Sequence, residues 1–152
     1  MRSSEEQGEG LREDLTFTAA FWGALLLLAW GYHAVWPWLN GGADGPPAGF
    51  KSSPVATATT IGGPVTMALF SLRCGHYRRF APTDNHGAAV WAGIARFGGL
   101  NVAVLAALVT LVIASSPNPG VAWFTGGCAL AGLAMAAAGH LLWRQALARR
   151  AD

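Results

Sequence analysis

Hydrophobic positions fall into four long blocks, residues 15–38, 55–72, 97–115 and 121–143, separated by stretches rich in Gly, Pro and Arg. Four such blocks in one short chain are the pattern of a polytopic membrane protein, with lipid as the solvent. The first block, from Leu15 to Trp38, would span about 36 Å as a helix, enough to cross a hydrocarbon core of about 30 Å with some tilt. Pro37 and the Asn40, Gly41, Gly42 run predict its end, because proline lacks the helical donor and the glycines favour a turn. The connector NGGADGPPAGFKSSP that follows has no periodicity.

The second block, Val55 to Leu72, is less apolar. It carries Thr57, Thr59, Thr60, Thr66 and Ser71 and is interrupted by Gly62, Gly63 and Pro64, so a kink is expected near Pro64. Threonine hydroxyls can bond back to helix carbonyls, and Gly and Pro are tolerated in membrane helices where neighbours re-satisfy the backbone. Charge supports this span independently of hydropathy. With four spans and the N-terminus inside, Arg2 and Arg12, then Arg73, Arg78, Arg79 and Arg96, then Arg144, Arg149 and Arg150 all lie on the cytoplasmic side, leaving only Lys51 outside. Without the second span the arginines would be divided between the two faces.

Trp91, Ile94 and Phe97 are spaced i, i+3, i+6 ahead of the third block. Residues 88–97 therefore read either as an amphipathic segment along the head groups or as a plain extension of the span. The link SPNPG is short enough to force spans three and four into an antiparallel hairpin. The expected fold is all-α, a polytopic bundle of four antiparallel transmembrane helices over residues 15–145. A polar tail, residues 1–14, should be exposed and frayed, and a basic tail, residues 146–152, should follow the last span. The leader MRSSEEQGEGLRED is acidic, unlike the basic start of a secretory signal, so the first segment is expected to stay in the mature protein. Tyr32, Trp36, Trp38, Trp123 and Phe124 fall at the outer boundary, and Trp91 and Trp143 at the inner one, as interfacial belts.

Composition agrees: 53% of the 152 residues are apolar and 12% charged, the latter about half the usual fraction for a soluble domain. A net charge of +2, with no basic stripe interleaved with aromatics outside the membrane flanks, argues against a nucleic-acid partner. Cys74 and Cys128 lie in different regions and form no C-x-x-C pair, so neither a disulfide framework nor a zinc ribbon is indicated.

The most specific physical signal is a pair of small-residue seams. Span four places Ala129, Gly132, Ala136, Gly139 and Trp143 on one helical face, and span three places Gly99, Ala103, Ala106 and Thr110 on another. Apolar side chains gain little by leaving lipid for one another, so helix pairing in membranes relies on close backbone approach, which small residues permit. The seams are expected to hold the third and fourth spans together, or to dock one of them on a partner subunit. Asn101, on the face of Leu105, Leu108 and Val112, is expected to join helices by a hydrogen bond; a polar path is the alternative.

Candidate chemistry is sparse. No Asp or Glu falls inside the four blocks, which disfavours carboxylate-based transport and intramembrane acid catalysis. His33 and His140 should lie at opposite faces, too far apart for bis-histidine haem ligation. Cys74, His76, Asp84, His86 and His140 all fall near the cytoplasmic surface, but their spacing matches no metal motif and neighbouring arginines disfavour a dication. His140, beside the small seam, is the histidine expected to be buried, hydrogen-bonded to a carbonyl or water. Arg73, Arg78, Arg79, Arg96, Arg144, Arg149 and Arg150 are expected to set the topology and contact anionic lipids of the cytoplasmic leaflet. A phosphate pocket at these arginines is a weaker reading.

There is no P-loop, G-x-S-x-G, H-E-x-x-H or conspicuous tandem repeat, and no cofactor is implied. The expected function is that of a small non-catalytic accessory or assembly subunit, or a homo-oligomer, of a bacterial-type inner membrane. A small transporter or channel protomer using Asn101, the Thr-rich second span and His140 is the alternative.

Overall fold

The computed structural model describes residues 2–39, 53–80, 86–114 and 119–148. They form four α-helices, α1 (Arg2–Leu39), α2 (Pro54–Phe80), α3 (His86–Ala114) and α4 (Ala122–Ala148), with a short 3-10 turn, Pro119–Val121, leading into α4. Each helix contains a stretch long and apolar enough to cross a membrane: Gly10–Leu39, Pro54–Arg79, His86–Ala114 and Ala122–Ala148. The chain is a multi-pass, all-α membrane protein.

The helices are longer than the hydrophobic blocks. Ser53 starts α2 as its N-cap: its hydroxyl accepts a hydrogen bond from the Ala56 amide at 3.1 Å, and Pro54 occupies the first helical position, where no donor is needed. Downstream, α2 runs unbroken through Gly62, Gly63 and Pro64. The hydroxyls of Thr59 and Thr60 both bond back to the Ala56 carbonyl, at 2.9 and 2.8 Å, which hides them from lipid within their own helix. The segment 88–97 is the opening of α3, in one helix with the span, rather than a separate surface helix.

The N-terminal region departs from expectation. Helix α1 begins at Arg2, its membrane-length part begins at Gly10, and it passes through Pro37 to Leu39. Asp14, assigned by sequence to an exposed tail, is fully buried. An acidic residue next to a polar leader reads as solvated from composition alone, but its helical phase turns it toward the other helices.

Side-chain pairings define the antiparallel order. Asp14 of α1 meets Arg73 of α2, while His33 near the far end of α1 meets Thr57 near the start of α2. Helices α3 and α4 share the most extensive interface, with Thr110 bonded to Thr125 at one end at 2.8 Å and the Arg96 guanidinium stacked over Trp143 at the other. Between these contacts the two backbones approach closely. A Cβ at Gly99 would lie 2.5 Å from the Ala136 amide nitrogen, one at Gly132 would lie 2.7 Å from that of Ala103, and one at Gly139 would lie 2.5 Å from that of Arg96. Leu27, Leu28, Leu111 and Leu130 point outward, an apolar surface suited to lipid.

Candidate functional site

Helix α1 turns one stripe inward, Asp14, Thr18 and Trp22, spaced four residues apart and all buried. Asp14 receives four hydrogen bonds from two other helices. Its Oδ1 accepts from the Tyr77 hydroxyl at 2.6 Å and from Arg73 Nη2 and Nε at 2.8 and 3.2 Å. Its Oδ2 accepts from Arg96 Nε at 2.6 Å. Arg96 also donates through Nη2 to the Gly10 carbonyl at 3.1 Å, and its guanidinium lies 5.2 Å from the Trp143 ring centre. Tyr77 meets Trp143 edge to face at 5.9 Å, and Arg73 stacks over Tyr77 at 5.3 Å. The cluster thereby links all four helices at one end of the bundle: Gly10 and Asp14 of α1, Arg73 and Tyr77 of α2, Arg96 of α3 and Trp143 of α4.

Local backbone makes room for these groups. A Cβ at Gly93 would sit 2.7 Å from the Tyr77 ring, and one at Gly10 would sit 3.2 Å from Arg96 Nη2. Next to the charges, Phe97 packs between Phe17 at 5.8 Å and Phe70 at 6.4 Å between ring centres. Glu13, the neighbour of Asp14, reaches Arg73 Nη2 at 3.2 Å from the outside, with its side chain 61% exposed. Burying charge is costly unless pairing and hydrogen bonding are nearly complete. Asp14 meets that requirement. Arg96 does so except at Nη1, which is buried without a hydrogen-bond partner.

One turn deeper than Phe97, Asn101 continues the polar line. Its Oδ1 accepts from the Trp22 indole at 3.1 Å, while Nδ2 donates to the Phe97 carbonyl at 3.0 Å and, at a long 3.4 Å, to Thr18 Oγ1. Trp22 lies over Gly62 of α2, where a Cβ would fall 2.5 Å from the ring. Asn101 thus ties α3 to α1 and is occupied by packing partners.

The structure redistributes several residues singled out by sequence. Arg96, expected at lipid head groups, is 1% exposed and committed to Asp14. Arg73 is largely engaged by Asp14 and Glu13, whereas Arg78, Arg79 and Arg144 are exposed; Arg149 and Arg150 lie outside the described residues. Trp143, expected in an interfacial belt, packs against Tyr77 and Arg96 in the cluster. The block 15–38 holds no acid, yet the membrane-length part of α1 starts earlier, at Gly10, and contains Glu13 and the buried Asp14. Gly99, Ala103, Gly132, Ala136 and Gly139 meet one another or neighbouring backbone inside the α3–α4 interface. Ala106 and Ala129 are half-buried, and Thr110 bonds the Ala106 carbonyl as well as Thr125.

His33 shares a 2.8 Å hydrogen bond with Thr57, at the end of the bundle away from the cluster. His140 has a buried Nδ1 with no hydrogen-bond partner. Among the described residues, no three His, Cys, Asp or Glu side chains come close enough to hold a metal ion; Asp84 lies outside them. The sequence pattern singles out neither Asp14 nor its partner Tyr77, nor the buried Trp22. Their signal was present as Asp14, Thr18 and Trp22 at helical spacing, with Arg73 and Tyr77 one turn apart on another helix. Comparison with known protein families, with curated proteins and with solved structures finds no match to this chain.

Proposed function

We propose that this is a small non-catalytic membrane protein, an accessory or assembly subunit or a homo-oligomer, seated in a bacterial-type inner membrane with both termini cytoplasmic. The observation that carries the reading is the fate of the inward-facing polar side chains. Asp14 is taken up by two arginines and a tyrosine, and Asn101 by Trp22, Thr18 and a backbone carbonyl. Most of these bonds join one helix to another, and they occupy the Asp14 carboxylate and the Asn101 amide, two groups that a transport cycle would otherwise use. Four membrane-length helices carry exposed apolar side chains such as Leu27, Leu28, Leu111 and Leu130, a surface that another membrane chain can reach. The arginine-rich end supports the cytoplasmic placement of the termini.

A second reading, a small transporter or channel protomer, is favoured by one observation, a carboxylate buried within a membrane-length helix. Its three side-chain donors weigh against a proton-carrying role. Native mass spectrometry of the chain extracted from its own membrane, paired with solute and proton flux in liposomes, separates the two. A defined partner or homo-oligomer without flux supports the subunit reading. Flux from the pure protein, abolished by Asp14→Asn without loss of fold, overturns it.

A further inference from the structure

Beside the ion-pair cluster, an open groove of about 750 Å³ runs along α1, lined by Arg12, Glu13, Thr16, Phe17 and Ala20 and bordered from α2 by Arg73. Its chemistry is graded along the helix axis. Arg12 and Arg73 stand at the end where the membrane-length segment begins, the exposed Thr16 follows, and Phe17 and Ala20 form an apolar floor one to two turns deeper. We propose that this groove seats one anionic phospholipid, its phosphate between Arg12 and Arg73 and an acyl chain along Phe17 and Ala20. The inference does not depend on whether the protein acts alone or as a subunit.

Charge complementarity selects this occupant. The described charges in and directly behind the groove are Arg12, Arg73 and Arg96 against Glu13 and Asp14, which leaves one positive charge. A phosphodiester brings one negative charge and acceptor oxygens suited to guanidinium. Arg73 spends Nε and Nη2 on Asp14 and Glu13, and among the described residues no hydrogen bond engages its Nη1. Glu13 does not repel the phosphate as a bare carboxylate would, because it is bonded to Arg73 Nη2. Arg12 is exposed and takes no part in the hydrogen bonds of the cluster, so it can turn to a head group without disturbing the fold. A soluble anion would match the rim but gain nothing from the apolar floor, which is why the lipid is the better fit.

The test uses the full chain in mild detergent. Native mass spectrometry and thermal unfolding would be followed while titrating phosphatidylglycerol, phosphatidylcholine of the same chain length, or inorganic phosphate. We expect one phosphatidylglycerol to be retained per chain and to raise the unfolding temperature, with phosphatidylcholine and inorganic phosphate doing neither. Arg12→Gln should weaken retention by about fivefold, and Ala20→Leu should weaken it by filling the floor. Arg79→Gln, which removes the same charge from the same end outside the groove, should have a smaller effect. Equal retention of the two lipids, equal effects of Arg12→Gln and Arg79→Gln, or stabilisation by inorganic phosphate alone would each overturn the proposal.

Discussion

The Trp22 indole donates a 3.1 Å hydrogen bond to Asn101, joining α1 to α3 across residues far apart in the chain. Both side chains are buried, at 3% and 4% exposure, and Trp22 rests on the bare backbone of Gly62. One amide therefore registers α1 against α3 while the ring registers it against α2. In lipid such a bond is worth about 0.6 to 2 kcal/mol, because the separated helices can find other partners.

Asn101→Leu should lower the stability of the bundle by that amount, measured as chemical unfolding in detergent. Trp22→Phe should cost less in the Asn101→Leu background than in the wild type, since the bond it removes is already gone. Strictly additive losses would mean that the pair does not interact.

The α3–α4 seam has a different physical basis. A side chain at Gly132 or Gly139 would strike the backbone of α3, which cannot rotate away. Gly132→Leu and Gly139→Leu should each cost at least about 1 to 3 kcal/mol through overpacking. Ala134→Leu, on the exposed face of α4, exchanges lipid contacts for lipid contacts and should stay within about 0.5 kcal/mol. Loss of monomer stability in the glycine variants places the seam inside the protein. Loss of assembly alone would make it a docking surface, and equal tolerance at all three sites would leave close packing without support.

Orientation is tested by cysteine labelling in a background lacking Cys74 and Cys128. Gly45→Cys, in the α1–α2 connection, should react with an impermeant reagent from outside, and Thr83→Cys, between α2 and α3, only from inside. Labelling of both from one side would contradict four spans.

The membrane helices could be read from the chain because each is an apolar run near the length of a bilayer, and the arginine distribution supported even the threonine-rich α2. The small-residue faces of α3 and α4 were also visible as spacing. Which surface they meet was not, since a seam carries no mark of its neighbour until the helices are placed together. Asp14 escaped for a different reason. Lying next to Glu13 and a polar leader, it looked like part of a solvated flank, whereas Glu13 faces outward and Asp14 faces in. One residue of helical phase separates an exposed carboxylate from a buried one. Arg96 was misassigned by the same logic: a cation near a span end suggests head groups, but here it faces Asp14 and Trp143.

Asp14 is a structural tie whose charge is balanced inside the bundle by Arg73 and Arg96, and a double-mutant cycle with Arg96 measures that role. Removing one partner of a buried ion pair leaves the other charge uncompensated, at a cost of about 3 to 5 kcal/mol, whereas replacing both by apolar residues is often close to neutral. Chemical unfolding in detergent should therefore show a large loss for Asp14→Leu and recovery of most of it in Asp14→Leu with Arg96→Leu, with Arg73 still held by Glu13. Glu13→Gln, at the exposed edge, should cost no more than about 1 kcal/mol. If Asp14→Leu unfolds like the wild type, or if the Asp14 and Arg96 losses simply add, the carboxylate is not a structural tie.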